Sequence, residues 1–124
     1  VIQGGTIGSS ANGQNEVVFG SISQSGAIAV TYVWGIFSGK PSNRRLAEWD
    51  QVYDQVDFPW SLTGEVGKMD FENIAQHELG HSLGLGHPSD GCTEETMFRF
   101  ASAGETKKRD LFDGDKAGIL SLYA

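Results

Sequence analysis

The chain has 124 residues, of which 39% are hydrophobic and 20% charged, so its length fits one globular domain with a single core. Nine Lys and Arg against 16 Asp and Glu give a formal net charge of -7, which disfavours nucleic acid and anionic membrane surfaces as partners. No apolar run approaches the roughly 20 residues that cross a bilayer, so we expect no membrane contact.

The beginning of the chain predicts a loop followed by strands. Residues 1–15 are rich in Gly, Ser, Asn and Gln, which predicts a loop or an extended arm. Residues 17–19 and 27–37 are rich in β-branched and aromatic side chains. They therefore predict two neighbouring strands.

The segment RLAEWDQVYDQV fits two kinds of secondary structure. Leu46, Trp49, Tyr53 and Val56 recur at helical spacing, which favours a helix. The content of Val, Tyr and Trp suits a strand equally well. The residues alone leave both alternatives open, and the periodicity favours the helix.

Two helices are predicted in the second half of the chain. Asp70 is a suitable N-cap for a helix that continues to about Leu83. Its inward stripe is predicted to consist of Phe71, Ile74, Ala75, Leu79 and Ser82. The second helix, at the C-terminus, has Asp113 or Asp110 as its cap. It carries Ile119, Leu120 and Leu122.

The stretch HELGHSLGLGH holds all three histidines of the chain. His77 and His81 are four residues apart, so both imidazoles lie on the same face of a helix. An unbroken helix would carry His87 about 9 Å further along its axis, out of reach of a shared ion. Gly84 and Gly86 allow the helix to end and the chain to turn back. Three imidazoles would then hold one Zn²⁺ and leave its fourth position for water.

Glu78 follows the first histidine on the same turn, so its carboxylate can lie beside the ion without binding it. A glutamate there suits a general base that takes a proton from the zinc-bound water, which then attacks a polarised carbonyl. Two other interpretations remain open. The histidines share a helix by accident, or the zinc site is structural and closed by Cys92 as the fourth ligand.

The motif HExxHxxGxxH resembles the zinc signature of the metzincin metallopeptidases, and the flanking residues are most similar to the matrixin branch. Met97, ten residues after the third histidine, resembles the Met-turn beneath the zinc of these enzymes. The segment LFDGDKAGILSLYA resembles the C-terminal helix of matrixins. Its matching positions are Asp115, Gly118, Ile119, Leu122 and Tyr123. The cysteine pattern of the archaemetzincins is missing.

This resemblance implies an α+β, metzincin-like (zincin) catalytic domain. A twisted mixed β-sheet would lie over the active-site helix, and a small C-terminal helical subdomain would follow the turn at Gly84. RLAEWDQVYD is similar to the strand before that helix, so the resemblance implies a strand there. GAIAVTY looks like the edge strand, in which Ala29, Val30 and Thr31 would offer backbone hydrogen bonds to an extended peptide. A pocket bounded by residues 98–109 would favour a hydrophobic residue after the scissile bond.

The chain also departs from the family pattern. Residues 1–15 cannot supply the strand, helix and strand that precede this point in matrixins, so we expect a shortened N-terminal part. One catalytic domain over 1–124 is predicted, with the arm or loop at 1–15, the upper sheet and active-site helix at 16–86, and the lower subdomain at 87–124. Arg99 stands where matrixins usually have proline, and Gly114 replaces one acid of a paired-aspartate motif.

The resemblance implies a secreted, monomeric zinc endopeptidase acting on peptide or protein substrates. His77, His81 and His87 would bind zinc, and Glu78 would act as general base and then acid. Met97 would form the floor of the site. Calcium is an open second cofactor, although no acidic loop matches a calcium site. Two alternatives stay open: a zinc-binding module without catalysis, and a zinc hydrolase of small amides.

Overall fold

The computed structural model describes residues 2–3 and 10–123, with side chains from residue 10 onward. The chain divides into two compact units, residues 1–57 and 58–124. The strands are β1 (Ile2–Gln3), β2 (Glu16–Gly20), β3 (Ala29–Ile36), β4 (Arg45–Asp54), β5 (Trp60–Ser61) and β6 (Met69–Asp70). The α-helices are α1 (Phe71–Ser82) and α2 (Asp113–Tyr123), and short 3-10 turns lie at Pro41–Asn43 and Lys107–Arg109.

The first unit contains a mixed four-stranded sheet in the order β1-β2-β4-β3. β1, β2 and β4 run parallel, whereas β3 is antiparallel to β4. The strand at RLAEWDQVYD is confirmed as β4, so the helical spacing there was misleading. The prediction that β2 and β3 are neighbours is wrong, because β4 lies between them and pairs with both. Ile2–Gln3 form β1 inside the segment where the sequence predicts an arm or loop, and residues 1 and 4–9 of that segment lie outside the described part.

Burial in this sheet explains why β4 is a strand. Tyr53 is 1% exposed, and its ring stacks on that of Phe19 with 5.3 Å between centroids. The Tyr53 hydroxyl donates to Oε1 of Gln51 at 2.7 Å. Gln51 and Tyr53 are alternate residues of β4, so their side chains lie on the same face of the sheet, as the period of two in a strand requires. The helical interpretation would have separated these side chains.

The second unit holds both α-helices and a two-stranded parallel sheet, β5-β6. With the mixed sheet of the first unit, the chain has the α+β class that the sequence predicts. Asp70 caps α1 as expected, since its Oδ2 accepts from the backbone N–H of Asn73 at 3.0 Å. Arg109 binds both oxygens of the same carboxylate, at 2.7 and 2.8 Å. This ion pair joins the 3-10 turn Lys107–Arg109 to the first turn of α1, and Arg109 lowers the pKa of Asp70.

The inward face of α1 differs from the predicted stripe, in which Ile74 and Ser82 are buried, Phe71 and Ala75 are half-buried and Leu79 is exposed. Leu79 is 43% exposed, whereas the buried residues of the helix are largely polar. They are Asn73, Ile74, His77, Glu78, Gly80 and Ser82. Leu120 and Leu122 of α2 are also exposed, at 63% and 53%. Among the described residues, no helix combines the length and the apolar character that crossing a bilayer requires.

Candidate metal centre

The helix α1 ends at Ser82, and the chain then reverses direction before it reaches His87. Gly84 lies at φ 98°, the left-handed conformation that glycine adopts without a steric penalty. Its N–H donates to the carbonyl of His81 at 2.9 Å, and the N–H of Leu85 donates to the carbonyl of Gly80 at 2.9 Å. These two bonds form a Schellman C-cap. The cap reverses the chain and brings His87 to the helix face that carries the other two imidazoles.

The three histidines converge through their Nε2 atoms. Nε2 of His87 lies 3.2 Å from Nε2 of His77 and 3.1 Å from Nε2 of His81. The three imidazoles form a group that could hold a metal ion, with ligand atoms within 4.8 Å of one another. Among the described residues, this is the one group of three or more such side chains with that geometry.

Backbone carbonyls fix the tautomers of two of these rings. Nδ1 of His77 lies 2.7 Å from the carbonyl oxygen of Thr96, and Nδ1 of His81 lies 2.8 Å from that of Leu85. A carbonyl oxygen only accepts, so both Nδ1 atoms carry the proton and both Nε2 atoms present a lone pair. The lone pairs of His77 and His81 both face Nε2 of His87, so either a proton on that nitrogen or a cation among the three rings separates them. The donor set therefore fits a divalent ion that prefers imidazole nitrogen, with its rings oriented by second partners.

Thr96, whose carbonyl contacts His77, is held in place by hydrogen bonds to Asp115 of the C-terminal helix α2. Thr96 is fully buried, and its N–H donates to Oδ2 of Asp115 at 2.7 Å. The N–H of Met97 donates to Oδ1 of the same carboxylate at 3.0 Å. The Thr96 hydroxyl donates to the carbonyls of Lys108 and Asp110, at 3.2 and 3.1 Å. Sequence reasoning missed Thr96, because a backbone carbonyl acceptor leaves no signal in residue type.

Burial sets the protonation state of the first histidine. The pKa of His77 is lowered to about 4 by burial and then by the positive charges of His81, His87 and Lys108, against the opposing effect of the Thr96 carbonyl. The pKa of His87 is lowered as well, by burial first and then by His81 and Arg99. Both rings are therefore held in the neutral form that binds a metal ion.

The lowered pKa of His77 predicts that the metal-free protein loses stability in acid. Between pH 6.5 and pH 4, the unfolded chain binds a proton at His77 that the folded chain does not. Stability is therefore intact above pH 6.5 and should fall by about 3 kcal/mol as the pH drops towards 4. Denaturant unfolding of the chelated protein across this range measures the loss. A His77→Gln variant, which lacks the titrating group, should show a shallower pH dependence, and equal slopes for the two proteins would contradict the prediction.

The other predicted site residues lie in different places. Glu78 is 4% exposed and follows His77 in α1. Met97 is 4% exposed and packs against Gly80 of the same helix. Cys92 is exposed and lies outside the group of three histidines, and its Sγ is 3.4 Å from the Ser89 hydroxyl. The group thus contains no fourth protein ligand from the described residues.

The predicted substrate residues belong to the first unit. Ala29, Val30 and Thr31 begin β3, and their partners across the ladder are Tyr53, Val52 and Gln51. Within the described part of the chain, β3 pairs on one side alone, with β4, so it is an edge strand as the resemblance implies.

The loop 98–109 is held together by a buried lysine. Lys108 is 1% exposed, and its Nζ donates to the carbonyl of Phe100 at 2.8 Å and to Oε1 of Glu105 at 2.5 Å. Asn73 of α1 accepts from the Lys108 N–H at 2.7 Å and donates to Glu105 at 3.1 Å. These bonds fasten both ends of the loop to one another and to the helix.

The family model described as Matrixin (Peptidase_M10) matches residues 37–124, which is more than two thirds of the chain. Metalloendoproteinase 1-MMP of Arabidopsis thaliana is 46% identical over 56 residues, which are 44% of this chain and 14% of the plant protein. Matrilysin of Rattus norvegicus is 36% identical over 74 residues, which are 60% of this chain and 26% of that protein. Matrix metalloproteinase-2 of Drosophila melanogaster is 38% identical over 71 residues, 55% of this chain and 9% of that protein. The chain therefore spans about a quarter or less of the length of these relatives.

Proposed function

This chain belongs to the matrixin family, and from that premise we propose that it is a zinc-dependent endopeptidase that hydrolyses peptide bonds of extended polypeptides. The observation that carries the proposal is the convergence of three Nε2 atoms, with the rings of His77 and His81 oriented by backbone carbonyls. The names of the relatives, metalloendoproteinase and matrix metalloproteinase, support a peptidase.

His77, His81 and His87 would hold the ion through Nε2. Nitrogens that bind a tetrahedral zinc at about 2.0–2.1 Å lie roughly 3.3 Å apart. The Nε2 separations of 3.1 and 3.2 Å are close to that spacing. When bound, zinc polarises a carbonyl oxygen and lowers the pKa of a water molecule towards about 7. A site with three protein ligands is of the catalytic kind, because structural zinc sites are closed by a fourth.

We assign Glu78 the proton transfers. Its carboxylate takes a proton from the attacking water and then delivers it to the nitrogen of the leaving amine. Its position next to His77 in α1 and its 4% exposure support this role. Met97, buried against α1, would form the floor of the site.

The edge strand is the proposed substrate-binding element. An extended peptide would add antiparallel to β3 and bond to the backbone of Ala29, Val30 and Thr31, which is the strand-addition mode of peptide recognition. The loop 98–109, fixed by Lys108, would bound a pocket for a hydrophobic residue after the scissile bond. We also propose that the protein is secreted, is a monomer, and forms one catalytic domain.

The first test measures both the zinc content of the protein and its cleavage of a protein substrate. Elemental analysis of the purified chain should give one zinc, and an unstructured casein should be cleaved in a reaction that a chelator stops. Zinc without cleavage would identify a binding module instead, and turnover limited to small amides would identify the alternative hydrolase. A chain without zinc would overturn the proposal.

Zinc should also stabilise the fold, because the unfolded chain cannot hold three imidazoles in this arrangement. At free zinc about 100-fold above its Kd, the free energy of unfolding should rise by about 2.7 kcal/mol over the chelated protein. Thermal unfolding with stepwise additions of zinc measures the rise. In a His81→Ala variant the rise should disappear, and a rise that persists there would place the metal elsewhere.

A further inference from the structure

We propose that Gly80 is a positioning residue for the metal centre. Because Gly80 has no side chain, α1 can lie close to residues 96–97, and the carbonyl of Thr96 orients His77. This inference rests on the proposed zinc site. Gly80 lies in the middle of α1, between His77 and His81, and it is buried. It is a residue of the motif to which the zinc chemistry gives no task.

The backbone of α1 does not require a glycine at this position. The described glycines with positive φ do not include Gly80. In the interior of a helix, glycine is less stable than alanine. The reason for glycine must lie in packing.

The packing contact is with the methionine of the adjacent turn. A Cβ built on Gly80 overlaps Sδ of Met97, and it lies 3.0 Å from Cε and 3.4 Å from Cγ of that side chain. Met97 is 4% exposed, so its thioether has close neighbours on its other sides as well. A methyl group at position 80 therefore requires either a new rotamer of Met97 or a shift of the 96–97 backbone away from α1.

A backbone shift would act on the first histidine. Thr96, the neighbour of Met97, accepts the 2.7 Å bond from Nδ1 of His77. Asp115 holds the N–H groups of Thr96 and Met97 together, so the two residues move as one piece. Displacement of Met97 from Gly80 would thus lengthen the bond that orients His77. Loss of such a second partner lowers metal affinity by about 10- to 100-fold.

The test compares zinc affinities rather than activities. Gly80→Ala should raise the Kd for zinc about 10- to 100-fold in competition with a chromogenic chelator. Gly91→Ala is the matched control, because a Cβ there meets no heavy atom within 4 Å, and its Kd should equal that of the wild type. An unchanged Kd for Gly80→Ala would mean that Met97 simply rotates, and it would overturn the inference.

A double variant keeps the inference testable if Gly80→Ala does not fold. Met97→Ala removes the side chain that the new methyl group meets, so adding Gly80→Ala to it should leave the Kd for zinc unchanged. Equal effects of Gly80→Ala with and without Met97 would overturn the inference, and so would a double variant that still fails to fold. Wild-type protein that binds zinc without cleaving casein would refute the proposed function alone, whereas failure to bind zinc would refute both.

Discussion

Replacing Glu78 by glutamine is expected to lower kcat by about 10²–10⁴-fold while one zinc stays bound per chain. Glutamine has nearly the same shape as glutamate, but its amide cannot take a proton from water at neutral pH. The three imidazoles remain in place, so metal content should not change. Steady-state cleavage of a casein-like substrate, with elemental analysis of the same sample, measures both quantities.

Glu72→Gln is the matched control for this prediction. Glu72 lies in the first turn of the same helix, its side chain is 63% exposed, and its nearest cationic atom is Nε of Arg109 at 3.6 Å. An exposed pair of this kind contributes at most about 1 kcal/mol, so the control should fold and cleave like the wild type. A Glu78→Gln variant with zinc bound and normal kcat would exclude Glu78 as the base.

The convergence of His77, His81 and His87 was predictable because all three lie within eleven residues. A spacing of four on a helix and a glycine at the helix end are local features, and local geometry fixes where those side chains meet. The helix was expected to end at a glycine, and it ends in a Schellman cap at Gly84. The same reasoning could not reach Thr96, which is 19 residues from His77 and contributes a main-chain oxygen.

Hydrophobic periodicity failed where burial is polar. Leu79 fits the apolar stripe of α1 but is exposed, whereas Asn73 and Glu78 are buried. Asn73 is satisfied by partners more than 30 residues away, the backbone of Lys108 and the carboxylate of Glu105. No local pattern reveals such distant partners, so the sequence predicts the inward face of α1 poorly.

Strand order was equally out of reach. β2 and β3 follow each other along the chain, and consecutive strands are often neighbours. Here β4 pairs in parallel with β2 and antiparallel with β3, so the later strand enters between two earlier ones. Segment 45–54 was identified as a strand through its resemblance to matrixins, because its residue spacing favoured a helix. Pairing between distant segments determines both the strand order and the strand conformation of residues 45–54. The spacing of hydrophobic residues along the chain does not reveal such pairing.

Asp115 is the residue whose loss should cost most stability outside the motif. Its carboxylate is 3% exposed and accepts three backbone N–H groups, from Thr96, Met97 and Phe112, at 2.7–3.0 Å. Asp115→Ala would leave these donors without their acceptor, at about 1–3 kcal/mol for each buried group. We therefore expect the free energy of unfolding to fall by about 4 kcal/mol, measured by denaturant titration of the chelated protein.

The loss should also reach the metal, because the carbonyl that orients His77 belongs to Thr96, which Asp115 holds in place. Zinc affinity should therefore fall in Asp115→Ala protein under conditions in which it is still folded. Asp113→Ala is the matched control, since Asp113 begins the same helix with a side chain that is 96% exposed. Its removal should cost under about 1 kcal/mol through the helix dipole and leave the Kd for zinc unchanged. If the two variants lose equal stability and bind zinc equally well, the buried carboxylate does not brace the metal centre.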